Sequence, residues 1–323
     1  SLSTSPISRA FLNNQNINPD TKTRILEAAQ QLNYTPNRIA LNLKSGKTKT
    51  IGVIVPEMTT PYSITVLKGI ERVLCQKDYH TIIKVSDEDQ NKERQNILFF
   101  EELKVDALIV STCNQSENID LYQRLIQNGT PIIFHDRLPN PTINASKVIV
   151  KDSIYSFLMV EHLVNIGRKN IAHIIGPSII GNAKEREIGY ERILHKYHIY
   201  NPNLKIQVQN MSIIDGENAV KKLIENNVSF DAIFVFSDIL AIGAMNYLLK
   251  NGYRIPEDVA IASFSGTILS SMVYPQLTTV ESPLEEMGEQ SALLALNKID
   301  NPKSDNQTIV LDSQLVYRSS TIK

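Results

Sequence analysis

From Ile51 onward the chain alternates short, almost wholly apolar runs with amphipathic stretches, and this restricts its fold more than any other feature of its 323 residues. The runs read IGVIVP, HTIIKV, DALIVST and TPIIFHD, then KVIVKD, NIAHIIG, DAIFVFS and VAIASFS. Strands this apolar are buried on both faces, and with a helix between successive strands they form a parallel sheet covered on each side. The alternation occurs once up to about residue 150 and again beyond it, so the sequence predicts two similar doubly wound α/β lobes. Two later strand candidates, LTTVES and TIVLDSQLVYR, are placed to carry the chain back between the lobes. Ligands bind beyond the carboxyl ends of strands in open parallel sheets, so two facing lobes make a cleft.

The first fifty residues differ in kind. Arg9, Lys22, Arg24, Arg38, Lys44, Lys47 and Lys49 against Asp20 and Glu27 give residues 1–50 a charge of +5, and the overall −1 leaves −6 on residues 51–323. A basic head on an acidic body suggests that the head meets a polyanion. In STSPISRAF, Ile7, Ala10 and Phe11 recur at helical spacing while Thr4, Ser5, Ser8 and Arg9 fall on the opposite face. Ser3 can cap that helix, with Pro6 in its first turn. A second helix is predicted from INPDTKTRILEAAQQL, capped by Asn18, opened by Pro19 and striped by Ile25, Ala28, Ala29 and Leu32. NRIALNLKSG is a third helical segment, closed by Gly46 and too short to hold itself folded without a partner.

Cys75 and Cys113 are the only cysteines, Cys75 within an apolar helical pattern, so no disulfide framework is expected and a reducing cytoplasm fits. No charged-then-apolar leader and no apolar run of about 18 residues points to secretion or a membrane. Catalysis is not the leading reading either. GPSIIGNA at 176–183 has phosphate-loop spacing, but Asn182 and Ala183 stand where Lys and Ser/Thr are needed. His195 and His198 are the only histidines within a helical turn of each other, and no carboxylate or cysteine constellation makes them a metal site. The acid pairs Glu101–Glu102 and Glu285–Glu286 lie in helical stretches that face solvent. No cofactor is called for.

A binding set is visible instead at the strand ends. Tyr62 follows the first strand and can lay its ring on an apolar sugar or base face. Asp136 and Arg137 end IIFHDR, Arg186 lies just beyond the first strand of the second lobe, Ser237 and Asp238 end IFVFSD, and Ser265 ends IASFS. An arginine between lobes can hold two hydroxyls or a carboxylate bidentately, and a carboxylate there takes hydroxyl donors. Two local alternatives stand beside this: Asp238 as a cap of the next helix, and Arg186 as a partner of Glu185 or Glu187.

STSPISRAF, NYTPNRIALNLKSGKTKTIGVIVP, AKEREIGY, FVFSDILAIGAM and YPQLTTVESPLEEMG together resemble the lactose-repressor (LacI/GalR) family of bacterial transcription regulators, over almost the whole chain. The resemblance implies a partial helix-turn-helix head over 1–36, its first helix missing from this sequence, a hinge helix and linker over 37–50, and a periplasmic-binding-protein-type core over 51–323. Within that core, lobe one takes about 51–150 plus a crossover near 275–310, and lobe two about 151–275 plus the C-terminus. It implies a homodimer on a near-palindromic operator, with Thr4, Ser5 and Arg9 approaching bases or phosphates, Leu43 wedged between central base pairs, and Asn37 and Ala40 supporting the hinge. It also places effector contacts at Tyr62, Asp136, Arg137, Arg186, Ser237 and Ser265, with Asp238 beside them. Many relatives carry an acid or amide after the aromatic residue of IASF where this chain has Ser265–Gly266. With Arg137 and Arg186 both in the cleft, a sugar acid stands beside a neutral sugar as effector. Side-by-side pairing is expected through the helices flanking the first strands, with about 63–78 as the main candidate. The rival reading is a sugar-binding transport receptor, which shares the two lobes but needs a secretion signal and no DNA head.

Overall fold

The structure is a computed structural model that describes residues 10, 11, 17–32, 34 and 47–322. Thr4, Ser5, Arg9, Asn37, Ala40 and Leu43 lie outside the described residues. Helix α1, Pro19–Gln31, starts as its sequence requires: the Asn18 side-chain oxygen accepts from the Asp20 amide at 2.9 Å and from that of Thr21, with Pro19 in the first turn. Of its predicted stripe only Ile25 is buried, whereas Leu32 is 78% exposed.

Twelve strands among the described residues form two six-stranded sheets. The first holds β1 (Thr50–Val55), β2 (His80–Val85), β3 (Ala107–Val110), β4 (Ile132–His135), β5 (Ser146–Val150) and β11 (Thr308–Leu311), in the order β11-β5-β4-β3-β1-β2, all parallel. The second holds β6 (Ile171–Ile175), β7 (Lys205–Gln207), β8 (Ala232–Val235), β9 (Ala260–Ser265), β10 (Thr278–Glu281) and β12 (Gln314–Val316), in the order β12-β10-β9-β8-β6-β7. Only β12 runs antiparallel, against β10. Every residue of β3, β4, β6, β8 and β9 is buried, as their unbroken apolar or small-residue runs demand.

Helices α2 (Pro61–Cys75), α3 (Gln90–Leu103) and α4 (Ile119–Gln127) belong to lobe one. Helices α5 (Asp152–Asn165), α6 (Gly181–Lys196), α7 (Ile213–Glu225), α8 (Asp238–Lys250) and the short α9 (Leu269–Met272) belong to lobe two. The chain passes between lobes three times. After β5 it leaves lobe one, and α5 packs on α6, β9 and β10; after β10 it returns as α10 (Leu284–Asp300), which packs on α2, β3, β4 and β5; between β11 and β12 it crosses again. The sequence reading of a lobe-one crossover from 275 therefore starts too early, since Thr278–Glu281 is a strand of the second sheet.

The α2–α10 crossing depends on two glycines. A Cβ on Gly69 would lie 2.0 Å from the Glu285 carbonyl oxygen, and one on Gly288 2.0 Å from that of Val66, so the two backbones touch. A single apolar cluster runs from Ile51, Val53 and Val55 in lobe one to Phe234 and Phe264 in lobe two. Each such fully buried side chain contributes roughly 1.5–3 kcal/mol, so the cluster fixes both sheets beneath the cleft. Among the described residues no helix is long and apolar enough to cross a membrane.

Candidate functional site

The carboxyl ends of both sheets face each other across a cavity of about 190 Å³. Its walls include Tyr62, Asp136, Arg137, Arg186, Ser237, Asp238 and Ser265, so the structure brings all seven predicted residues to one address. They are not equally free to act.

Tyr62, in the first turn of α2, donates its hydroxyl to Asp136 Oδ1 at 2.9 Å, and Asn182 Nδ2 of lobe two donates to the same oxygen at 3.1 Å. Burial, reinforced by the neighbouring Asp136, pushes the Tyr62 phenol well above its usual pKa, so it acts as a neutral donor. The lobes also meet where the Gln115 amide donates to the Ile179 carbonyl at 3.0 Å. Arg137 donates from Nη1 to both oxygens of Glu88, at 3.0 and 2.8 Å.

Arg186 is 2% exposed and lies between two aromatic faces, its guanidinium carbon 3.8 Å from the Phe264 ring centroid and 4.5 Å from that of Phe236. Nε donates to Asp152 Oδ1 at 2.8 Å and Nη1 to the Phe236 carbonyl at 2.7 Å. Its partner is therefore Asp152, at the start of α5, rather than Glu185 or Glu187. Burial raises the Asp152 carboxyl to about 6, with Arg186 pulling against that rise.

Asp238 is 1% exposed and its carboxylate is fully engaged. Oδ1 accepts from Ser263 Oγ at 2.6 Å and Thr279 Oγ1 at 2.9 Å; Oδ2 accepts from the Thr267 amide at 2.6 Å and its hydroxyl at 2.8 Å. A carboxylate has about four lone-pair sites, so none remains for a ligand, and the group ties α8 to β9, β10 and the loop after β9. The cap of α8 likewise has no side-chain hydrogen bond. Ser265 is held at φ 124°, a conformation L side chains rarely adopt, and Gly266 follows with its backbone against Glu281.

Glu57 also lines the cavity but is spent on the turn leading into α2, its Oε2 accepting from the Thr59 and Thr60 amides at 2.6 and 2.8 Å. The walls thus carry Glu57, Glu88, Asp136 and Asp238 against Arg137 and Arg186, each already hydrogen-bonded to a protein partner. The buried polar atoms of the walls that have no partner are neutral: Ser111 Oγ, both ring nitrogens of His135, Asn182 Oδ1 and Ser237 Oγ.

Sequence reasoning missed Asn182, Glu88, Asp152, Ser111 and His135. Asn182 and His135 carried a visible signal, since one opens the helix after a strand and the other immediately precedes Asp136 at a strand end. Glu88 and Asp152 are recognisable only once the fold sets them beside their arginines. Among the described residues no three His, Cys, Asp or Glu side chains are grouped to hold a metal ion.

A family model described as a periplasmic binding protein-like domain matches residues 160–321. Catabolite control protein A of Priestia megaterium is 30% identical over 99% of this chain and 96% of its own length. A LacI family transcriptional regulator from Enterococcus faecium, solved with bound ribose, superposes with a TM-score of 0.75 at 28% identity, covering 84% of this chain and 98% of that one. The lac repressor dimer bound to operator and an anti-inducer shares the fold, with a TM-score of 0.87 at 21% identity over 100% of this chain and 96% of that one.

Proposed function

The chain belongs to the lactose-repressor (LacI/GalR) family of transcriptional regulators, and from that premise we propose that its cleft takes an uncharged, polyhydroxylated metabolite of monosaccharide size that controls operator binding. One observation carries this choice over a sugar acid. The charged groups of the walls are already held by protein partners, whereas the unpartnered buried atoms are hydroxyl, imidazole and amide groups that suit neutral hydroxyls. A carboxylate entering there would meet four acids and two arginines, Arg137 already bonded to Glu88 and Arg186 to Asp152. The ribose held by the Enterococcus faecium relative supports the same class.

Within this reading Tyr62, Asp136, Asn182, Ser237 and Ser265 contact the effector. Arg186 offers its remaining donors while Phe264 and Phe236 fix its plane. Arg137 and Asp238 shape the wall, the latter without a free lone pair. The head would read DNA through Thr4, Ser5 and Arg9 and wedge Leu43 into the minor groove. Calorimetry on the full chain with neutral pentoses and hexoses beside the corresponding sugar acids tests the effector class. Tighter binding of the acids would overturn it.

A homodimer places two heads on one duplex. The face that supports it combines α2, where Ile64 is 50% exposed, with the segment around α9, where Ile268, Met272 and Tyr274 are 62, 72 and 90% exposed. Thr65, Ile268 and Ser271 line one groove, so the two parts are continuous.

A further inference from the structure

We propose that His135, with Ser111 beside it, is a specificity pair that reads a hydroxyl of the effector from the floor of lobe one; this rests on the uncharged-effector reading of the same cleft. Register places them together. Ile109 pairs with Ile133 and Val110 with Phe134, so continuing the β3–β4 ladder by one step sets Ser111 next to His135. Both side chains are 2% exposed and both line the cavity. Neither Ser111 Oγ nor either imidazole nitrogen has a hydrogen-bond partner.

Buried imidazoles are normally anchored, and His173 in lobe two is the internal standard. Its Nδ1 bonds the Phe234 carbonyl at 2.9 Å, leaving only Nε2 without a partner, and its ring packs against Phe234 and Tyr190, a structural role. His135 has no such bond, so folding leaves two polar atoms unsatisfied at the edge of a ligand cavity. Unsatisfied buried groups are destabilising, and they persist where a ligand supplies the missing partner. Burial also keeps the ring neutral, with its pKa lowered to about 4. A neutral imidazole has one donor and one acceptor nitrogen, and the serine hydroxyl can do either. Together they fit a hydroxyl that both gives and takes a hydrogen bond, and they penalise a sugar that lacks it.

The experiment measures full-chain binding to a panel of neutral pentoses and hexoses, their monodeoxy analogues and the matching sugar acids, with wild type, His135→Leu, His135→Gln and Ser111→Ala. His135→Leu removes the unsatisfied nitrogens and is expected to melt higher than wild type without ligand, which separates a selecting residue from a structural one. It should weaken the best sugar on the order of tenfold to a hundredfold while leaving one monodeoxy analogue unchanged, with Gln restoring part of the loss. His135→Leu binding the best ligand as wild type does, or weakening all analogues equally, would overturn the pair while the uncharged-effector reading stands. If only sugar acids bind, that reading falls and the pair that rests on it falls with it. A wild-type chain that binds nothing in the panel overturns both.

Discussion

At the scale of single residues, the cleft exchanges stability for readiness. Removing one member of a buried ion pair strands the other in low dielectric, so Arg186→Ala should lower the unfolding free energy by about 3–5 kcal/mol in urea titrations, because Asp152 loses its 2.8 Å partner. The same substitution should weaken the effector by calorimetry. A wild-type unfolding curve for Arg186→Ala would mean that the pair carries no net stabilisation. Protonation adds a second test. Burial lowers both His135, with Arg137 adding and Asp136 opposing, and His173 to about 4, below the ordinary 6.5. The unfolded chain therefore takes up protons before the folded one does. Stability from these groups is complete above about pH 6.5 and is lost as pH falls through 4, at most on the order of 3 kcal/mol each. Asp152, raised to about 6, opposes them, since its contribution is present below about 3.8 and fades as pH rises through 6. Wild type should thus become less stable between pH 6.5 and 4.5. His135→Leu should reduce that slope by nearly one proton near pH 5; an unchanged slope would mean that the ring already binds its proton in the fold.

At the scale of elements, the α2–α10 crossing is the contact most sensitive to a single carbon. Gly288→Ala sets a Cβ against the Val66 carbonyl oxygen in the middle of two packed helices. It should cost about 1–3 kcal/mol and weaken the effector as well, because α2 carries Tyr62. Gly129→Ala is the control: it has positive φ (88°) but open space, and should cost about 1 kcal/mol with no effect on ligand binding. Equal losses in both variants would remove the special role of the crossing. Most of these elements were legible beforehand, because parallel strands buried on both faces leave apolar runs such as ALIV and IAHII, although the edge strands β2 and β11 carry similar runs while mostly exposed or half-buried. β7 was not, being three residues on a sheet edge, two half-buried and one exposed. The cleft was legible as an address, since ligands gather at strand ends. Its internal pairing was not, for Arg186 and Asp152 stand 34 residues apart and Asp238 draws its donors from Ser263, Thr267 and Thr279. Such partners are set by the sheet order, which no local pattern encodes.

At the scale of the molecule, the geometry constrains how effector and DNA can communicate. β1 enters lobe one at Thr50 and ends at the cleft, so the head is attached about 20 Å from the ligand, at the opposite end of the sheet. An effector in the cleft lies at the far end of β1 from Thr50, and in the proposed reading coupling would pass through the angle between lobes. Three chain passages join the lobes, and the bonds from Gln115 to Ile179 and from Asn182 to Asp136 latch them at the mouth. In the proposed dimer held by α2 and the α9 segment, that angle would set the distance between the two Thr50 strand starts, and with it whether the proposed hinges could meet over the minor groove. Tyr274→Glu should leave the fold intact and shift the protein to monomer at micromolar concentration in sedimentation, with operator binding lost. Asn182→Ala tests the coupling itself. It removes one latch while leaving the dimer face untouched, so it should weaken the effector and shrink the change in operator affinity that saturating effector produces, measured by anisotropy at fixed salt. Operator affinity without effector should move with it, because the same angle is released in both states. If Asn182→Ala weakened the effector yet left the saturated response and the basal affinity at wild-type values, closure of the mouth would not be the movement that the DNA head senses.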